Sequence, residues 1–396
     1  MNSHVIVLGA GLVGSGVALA LQQEGITVTL LESAPLVTVQ PPSNGPDLRC
    51  SALVPKTISF LKKLNVWQKI IEKRVGIFRK MQIWHESAPD NPVKLSHTDA
   101  ALSELGFIVE NREIQNALNE NIQQKNIEML RPVTVLQIDE KEDCVTVTFR
   151  DAENNLVSRD ATVIIAADGA NSWTRQHLNF PIKAWKYNQK AIVTYVRHQK
   201  SHQNVARQVF LSTGPLAFLP LVEKNLSSIV WSAEAEIGEQ LMQDNNVLFN
   251  QKLSCHMSAF LGDIVECGQR MAFPLQMQHA QTYVKSRIVL IGDAAHTIHP
   301  LVGQGLNLGF ADADELAKVI QHAQQKHRDI GALDTLRKFE RNRKTKNLTM
   351  LAAVEIIKHS FAANSSVGQA LLSEGLSITN RLWPLKKWII EQASNP

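Results

Sequence analysis

GDAAHTIHPLVGQGLNLG, residues 292–309, is the stretch that decides the fold. The run Arg287-Ile288-Val289-Leu290-Ile291 leads into it and reads as a buried parallel strand. Gly292-Asp293 then turns the chain. Gly303, Gly305 and Gly309 precede an amphipathic segment through Phe310, Ala313, Leu316 and Val319. Strand, glycine-rich turn and helix together aim backbone N–H groups at a phosphate or another electron-rich group. An acid in that turn would repel a phosphate directly. Asp293 suits a ribityl hydroxyl, a water or a backbone N–H instead, and that combination points to a flavin dinucleotide rather than ATP. Taken alone, the stretch also fits a Gly/Pro-rich loop entering a core helix.

The N-terminus supplies its partner. Val5-Ile6-Val7-Leu8 is followed by Gly9-Ala10-Gly11-Leu12-Val13-Gly14, and a second apolar run, Val28 to Leu31, ends on Glu32. This is the dinucleotide fingerprint with the strand, helix and acid that it requires. Gly9 allows the tight turn, Gly11 lets the backbone approach the pyrophosphate, and Gly14 lets helix and strand pack closely. Glu32 suits the hydroxyls of an adenosine ribose and disfavours a 2′-phosphate, because two negative groups would meet. Between the two ends, Val163 to Ala167 forms another apolar strand that ends in Asp168-Gly169, with Arg175 beyond.

The three motifs, in this order and at these separations, resemble the class A flavoprotein aromatic hydroxylases with the para-hydroxybenzoate hydroxylase fold. The wording HPLVGQGLNLG, GPLAFLPL at Gly214 to Leu221, and DLRCSAL at Asp47 to Leu53 is most similar to the ubiquinone-biosynthesis hydroxylases among them. The resemblance runs to about residue 350; Val302 departs from it, where the group more often has alanine. It implies an α/β fold: a Rossmann-like FAD-binding domain with an inserted mixed β-sheet substrate domain and a helical C-terminus. The expected division is 1–75, 104–180 and 281–345 for the FAD-binding domain. Residues 76–103 and 181–280 form the substrate domain, and 346–396 a C-terminal helical segment.

It also implies site residues. Arg49 lies at the flavin, Arg112 opens a helix near it, and the backbone at Val135 reaches the adenine. Leu12, Val13, Asp168 and Asp293 join the glycines around FAD. Pro300, Gly303, Gly305, Leu306 and Asn307 lie along the isoalloxazine, where a helix beginning near Gly305 favours negative charge on reduced flavin. Phe218, Pro220 and Leu221 wall a pocket for a greasy ring. In the resembled family, reduced FAD and O2 give a C4a-hydroperoxide that attacks a phenol-like ring, which needs a dry pocket and neither metal nor nucleophilic side chain. No residue is named as the base; His296 and His299 read more readily as structural than as proton carriers. A second nucleotide fingerprint is absent, which leaves NAD(P)H or a redox protein as electron donor.

Composition narrows the classes further. The 396 residues are 44% hydrophobic and 20% charged, with net charge +4 and a pI of about 8.8. That is ordinary for a globular chain and too weakly basic to imply nucleic acid. Cys50, Cys144, Cys255 and Cys267 have no zinc-ligand spacing, so free thiols and a reducing compartment are expected. The chain opens directly on a strand and has no run long enough to span a bilayer, so a bacterial, cytoplasmic protein is expected.

Elsewhere, Ser51 to Leu64 reads as a helix, 133–138 and 145–149 as a hairpin, and 241–261 as a helix over a second sheet. The basic run from Arg337 to Lys346 reads as a solvated helix face. LWPLKKWII at 382–390 fits either peripheral membrane contact at the inner membrane or a closing helix on the core. The substrate expected from the resemblance is a polyprenylated phenol of ubiquinone biosynthesis. It also allows assembly into a biosynthetic complex or a homo-oligomer. The alternatives are another flavin oxidoreductase of this fold, or a non-catalytic FAD-bound subunit.

Overall fold

A computed structural model describes residues 3–35, 45–298, 303–361 and 383–394. Its first sheet has six strands, in the order Val284–Lys285, Ile288–Leu290, Val163–Ala166, His4–Leu8, Thr27–Leu31 and Glu128–Leu130. All neighbours are parallel except the edge pair Val284–Lys285 with Ile288–Leu290. Val5, Ile6, Val7, Val163, Ile164 and Ile165 are fully buried. Unbroken apolar runs are what a parallel strand covered on both faces requires. Helix Leu12–Gln23 packs on this sheet and against helix Gly305–Gln325.

The second sheet draws on two stretches of chain. Lys80–His85 and Val93–Ser96 come from the first, and strands between Ile182 and Thr297 from the second. One face is sealed by helices Ala235–Gln243 and Asn246–Leu261, with Trp84, Leu216, Trp231, Phe249 and Leu253 between them. The other face carries Ala206 and Leu219 in a cluster with Phe78 and Ile108, which belong to a small sheet of Cys50–Leu53, Gly106–Glu110 and Val75–Phe78. A separate antiparallel sheet joins Thr134–Glu140, Val145–Arg150 and Leu156–Ala161, so the expected hairpin gains a third strand.

Three local expectations are corrected. The segment from Ser51 is not wholly helical: Cys50–Leu53 is a strand paired with Gly106–Glu110, and Pro55 opens the helix Pro55–Lys63. Proline at the first helical position lacks the N–H that has no acceptor there anyway. The expected helix at 241–261 is two helices, because Asn245 accepts from the Leu248 N–H at 2.9 Å and starts the second one. The third correction concerns Arg343 in the basic run. It lies on the inner side of helix Leu333–Phe361 and is 1% exposed.

The last helix, Trp383–Ser394, places Ile390 in a core cluster with Leu95, Leu105 and Ile108, while Ile389 packs beside it. This part of LWPLKKWII therefore closes on the core; Leu382 lies outside the described residues. All four cysteines are free thiols. Among the described residues no helix is long and apolar enough to cross a membrane.

Candidate functional site

Strand order brings the three motifs together. The carboxyl ends of His4–Leu8, Thr27–Leu31, Val163–Ala166 and Ile288–Leu290 lie at one edge of the parallel sheet and carry Gly9, Glu32, Asp168 and Gly292. That edge is where open α/β sheets bind their ligands. Contacts at the glycines measure the convergence. A Cβ at Gly9 would lie 2.6 Å from the Ala167 carbonyl oxygen, and one at Gly14 would lie 1.9 Å from the Gly9 carbonyl oxygen. A Cβ at Gly309 would lie 2.6 Å from Val13, which also packs against Gly292. Gly9 and Gly292 have φ of 98° and 57°, a region that favours glycine.

Gly11 behaves differently: a Cβ there meets nothing within 4 Å, and the residue is exposed. It caps helix Leu12–Gln23 with no side-chain hydrogen bond, and Gln304 caps helix Gly305–Gln325 in the same uncapped way. Two helix N-termini thus present N–H groups and positive dipole ends in one region. One oxygen of Asp168 accepts from Thr174 N and Oγ1 at 3.0 and 2.9 Å, while its Oδ1 is buried with no hydrogen-bond partner among the described residues. Open backbone donors for a pyrophosphate, with acids placed for hydroxyls, fit an ADP-containing flavin.

The remaining predicted residues fall into distinct settings. Glu32 accepts from the Ala10 and Ala34 N–H groups, each at 2.7 Å, and its carbonyl accepts from Val133 N at 2.9 Å. Those bonds hold the fingerprint turn and bring the strand containing Val135 alongside. Asp293 reaches open space, yet the protein mass around this concave edge pushes its carboxyl up, against the charges of His296 and Arg49. The Arg49 guanidinium lies 5.4 Å from the Phe273 ring centroid. Arg112 is committed to protein: its Nη2 donates to Glu110 Oε2 at 3.1 Å and its N–H to Asp47 at 3.3 Å. Gly303 is exposed, and Gly305 and Leu306 are partly so in the first turn of their helix. Pro300, His299 and Val302 lie outside the described residues.

Asn307 is a clamp. Its Oδ1 accepts from Val54 N at 3.2 Å and Thr57 Oγ1 at 2.8 Å, and its Nδ2 donates to the Ala52 carbonyl at 2.8 Å. Its side chain therefore ties the helix start to Cys50–Leu53 and leaves only the backbone for a ligand. Sequence reading missed Gln115, whose Nε2 donates to the Ala10 carbonyl at 3.1 Å. Its position one turn beyond Arg112 was the available signal.

Sequence reading also missed a buried ionic cluster behind the Gly292 turn. Asp312 is fully buried and accepts from His296 Nε2 at 2.6 Å, Arg343 Nε at 2.8 Å and the Gly292 N–H at 3.1 Å. Asn347 donates to the same carboxylate at 3.2 Å. Burial alone would raise the Asp312 carboxyl; the charges of His296 and Arg343 outweigh it and hold the group at about 2. His296 is thus a structural partner of Asp312. Cys50 offers no nucleophile, since burial and then the Glu110 charge push its thiol up to about 12.

One pocket residue is corrected. Phe218 is 1% exposed and packs with Leu216, Trp231 and Phe249 beneath the covering helices. Strand side chains alternate, so Ala217 and Leu219 take the opposite face, where Leu219 packs beside Phe78 and Ile108. Pro220 and Leu221 are buried, and Leu221 joins the cluster that receives Ile390.

The chain matches the FAD binding domain family over residues 2–351. It is 31% identical to 3-demethoxyubiquinol 3-hydroxylase of Escherichia coli K12, over 99% of this chain and 98% of that protein. It is 30% identical to the mitochondrial ubiquinone biosynthesis monooxygenase COQ6 of Danio rerio, over 98% and 89% of the two chains. The crystal structure of p-nitrophenol 4-monooxygenase PnpA from Pseudomonas putida DLL-E4 superposes with TM-score 0.80 at 19% identity, covering 99% of this chain and 98% of that one.

Proposed function

The chain belongs to the FAD-binding-domain family, among the ubiquinone-biosynthesis hydroxylases, and on that premise we propose that it hydroxylates the ring of a polyprenylated phenol or benzoquinol on the way to ubiquinone. The observation that carries this is the meeting of Gly9, Asp168 and Gly292 at one edge of the parallel sheet. Bound FAD, once reduced, supplies the activation of O2. The chain's own residues bind, orient and exclude water. Gly11 to Gly14 offer N–H groups to the pyrophosphate, Glu32 a carboxylate to the ribose, and Asp293 one to the ribityl chain. The start of helix Gly305–Gln325 favours negative charge on the flavin ring.

NAD(P)H or a redox protein serves as donor in this reading. In this reading the chain divides into an FAD-binding and a substrate domain, with the substrate held between them. A bacterial protein working at the periphery of the inner membrane, within a biosynthetic complex, fits so greasy a substrate.

The test is rescue of bacterial strains that each lack one ubiquinone ring hydroxylase, followed by mass spectrometry of quinones and accumulated intermediates. Restored ubiquinone in one strain is expected and assigns the ring position. Yellow, folded protein with no rescue anywhere would refute the substrate class. The carboxylates give a second expectation. Glu32→Ala and Asp293→Ala should each weaken FAD at least about tenfold, the worth of one charge-assisted hydrogen bond, and purify largely colourless. Absorbance ratios at full yellow stoichiometry in both variants would remove these residues from the site.

A further inference from the structure

The open face of the second sheet is not uniform. Register aligns Ile83, Gln208, Ala217, Val230 and Val193 in one row across adjacent strands. Residues of such a row share a face. All five are partly exposed. The flanking rows are covered. On one side Ala206 and Leu219 lie in the cluster with Ile389 and Ile390 of the last helix. On the other, Phe210 is 4% exposed and packs against Val354 and Met350 of the long helix. The row is therefore the floor of a trough. Phe273, on the same face, carries Arg49 beside it, and the Arg49 charge acts on Asp293. The trough thus opens toward the flavin motifs.

Gln208 is the polar side chain in that floor. Its carboxamide makes no hydrogen bond among the described residues. A primary amide among Ile83, Ala217 and Val230 contributes nothing to packing that an aliphatic residue would not. It has one acceptor and two donor positions to offer. We propose that the Gln208 carboxamide binds an oxygen substituent of the substrate ring and so fixes which ring carbon faces the flavin. This rests on the aromatic-hydroxylase reading above. Beside Gln208 the flanking rows are apolar, Ala206 with Leu219 on one side and Phe210 with Pro215 on the other. Their hydroxyl groups, Ser228, Tyr195 and Ser232, lie on the strands beyond. Next to Ile83 and Ala217 that bond is the polar constraint on how the ring turns in its plane. A ring oxygen is recognised there, and an analogue lacking it leaves the amide unpaired.

The test uses FAD-loaded protein and two probes, 2-geranylphenol and geranylbenzene, titrated by the change in flavin absorbance. Protein reduced without oxygen is then mixed with aerated buffer and the phenol, and the products are separated by mass spectrometry. Dithionite supplies the two electrons for that reduction, so this single turnover does not depend on the physiological donor. Wild type is expected to prefer the phenol by about tenfold, as one neutral hydrogen bond in a dry site allows. Gln208→Leu and the closer-shaped Gln208→Met should bring the ratio near unity by weakening the phenol alone, and spread hydroxylation over more ring positions. Both should keep full FAD stoichiometry. An unchanged preference and product pattern in both variants, with wild type hydroxylating the phenol, would overturn the role of Gln208 alone. Failure of wild type to bind or hydroxylate the phenol would overturn the substrate class, and Gln208 with it.

Discussion

Arg343→Met is expected to destabilise the protein by about 3–5 kcal/mol, the usual cost of removing one partner from a buried ion pair. Asp312 would stay buried with its His296 and Gly292 bonds but without the guanidinium at 2.8 Å. Methionine fills much the same space, so packing loss is a small part of the effect. The cost should appear in urea unfolding as a lower midpoint at an unchanged slope. It should also reach the cofactor, because Asp312 holds the Gly292 N–H and thus the turn that carries Asp293. Sign follows from the depressed Asp312 carboxyl at about 2. Its contribution is present above the ordinary carboxylate value near ~4 and is lost as pH falls from there toward about 2. The gap between wild type and Asp312→Asn should therefore narrow over that window. A variant Arg343→Met as stable as wild type at neutral pH would place the cluster among ornaments of the fold.

The second large effect separates two glycines of one motif. In Gly14→Ala the new methyl carbon would start 1.9 Å from the Gly9 carbonyl oxygen, and both are backbone-fixed. Helix Leu12–Gln23 must then move off the parallel sheet, at a cost of about 3 kcal/mol or more. Little soluble yellow protein is expected. Gly11→Ala meets nothing within 4 Å, so the apoprotein should melt within about 1 kcal/mol of wild type. Its methyl stands where a pyrophosphate would approach, and FAD affinity should fall by about tenfold to a hundredfold, or ~1.4–2.8 kcal/mol. Calorimetric melting of apoprotein with FAD titration measures both. If Gly11→Ala binds FAD normally, the pyrophosphate does not pass over that residue.

These expectations also mark how much of the site was legible beforehand. The turns at Gly9 and Gly292 were, because positive φ and close backbone approach write themselves into single residues. The parallel strands were legible as apolar runs. The roles of Phe218 and Arg343 were not. Phe218 looks like a pocket wall beside Pro220, but alternation sends it to the helix-covered face. Arg343 sits in a run of basic residues and differs from Arg341 only in the side of the helix it occupies. Asn307 follows the glycine loop in the sequence, yet its side chain is spent on Val54, Thr57 and Ala52, some 250 residues distant in the chain.

By itself, then, the sequence determined the order of strand, turn and helix units, the kind of ligand their glycines and acids suit, and the family. Each of those is carried by residues close together in the chain. Only the tertiary structure decided which face a strand residue takes, which cation of a basic helix is buried against Asp312, and that Gln208 stands in one row with Ile83, Ala217 and Val230. Such facts depend on register between distant strands and on what packs across them. A shift of one residue in register exchanges inside for outside without changing any local pattern.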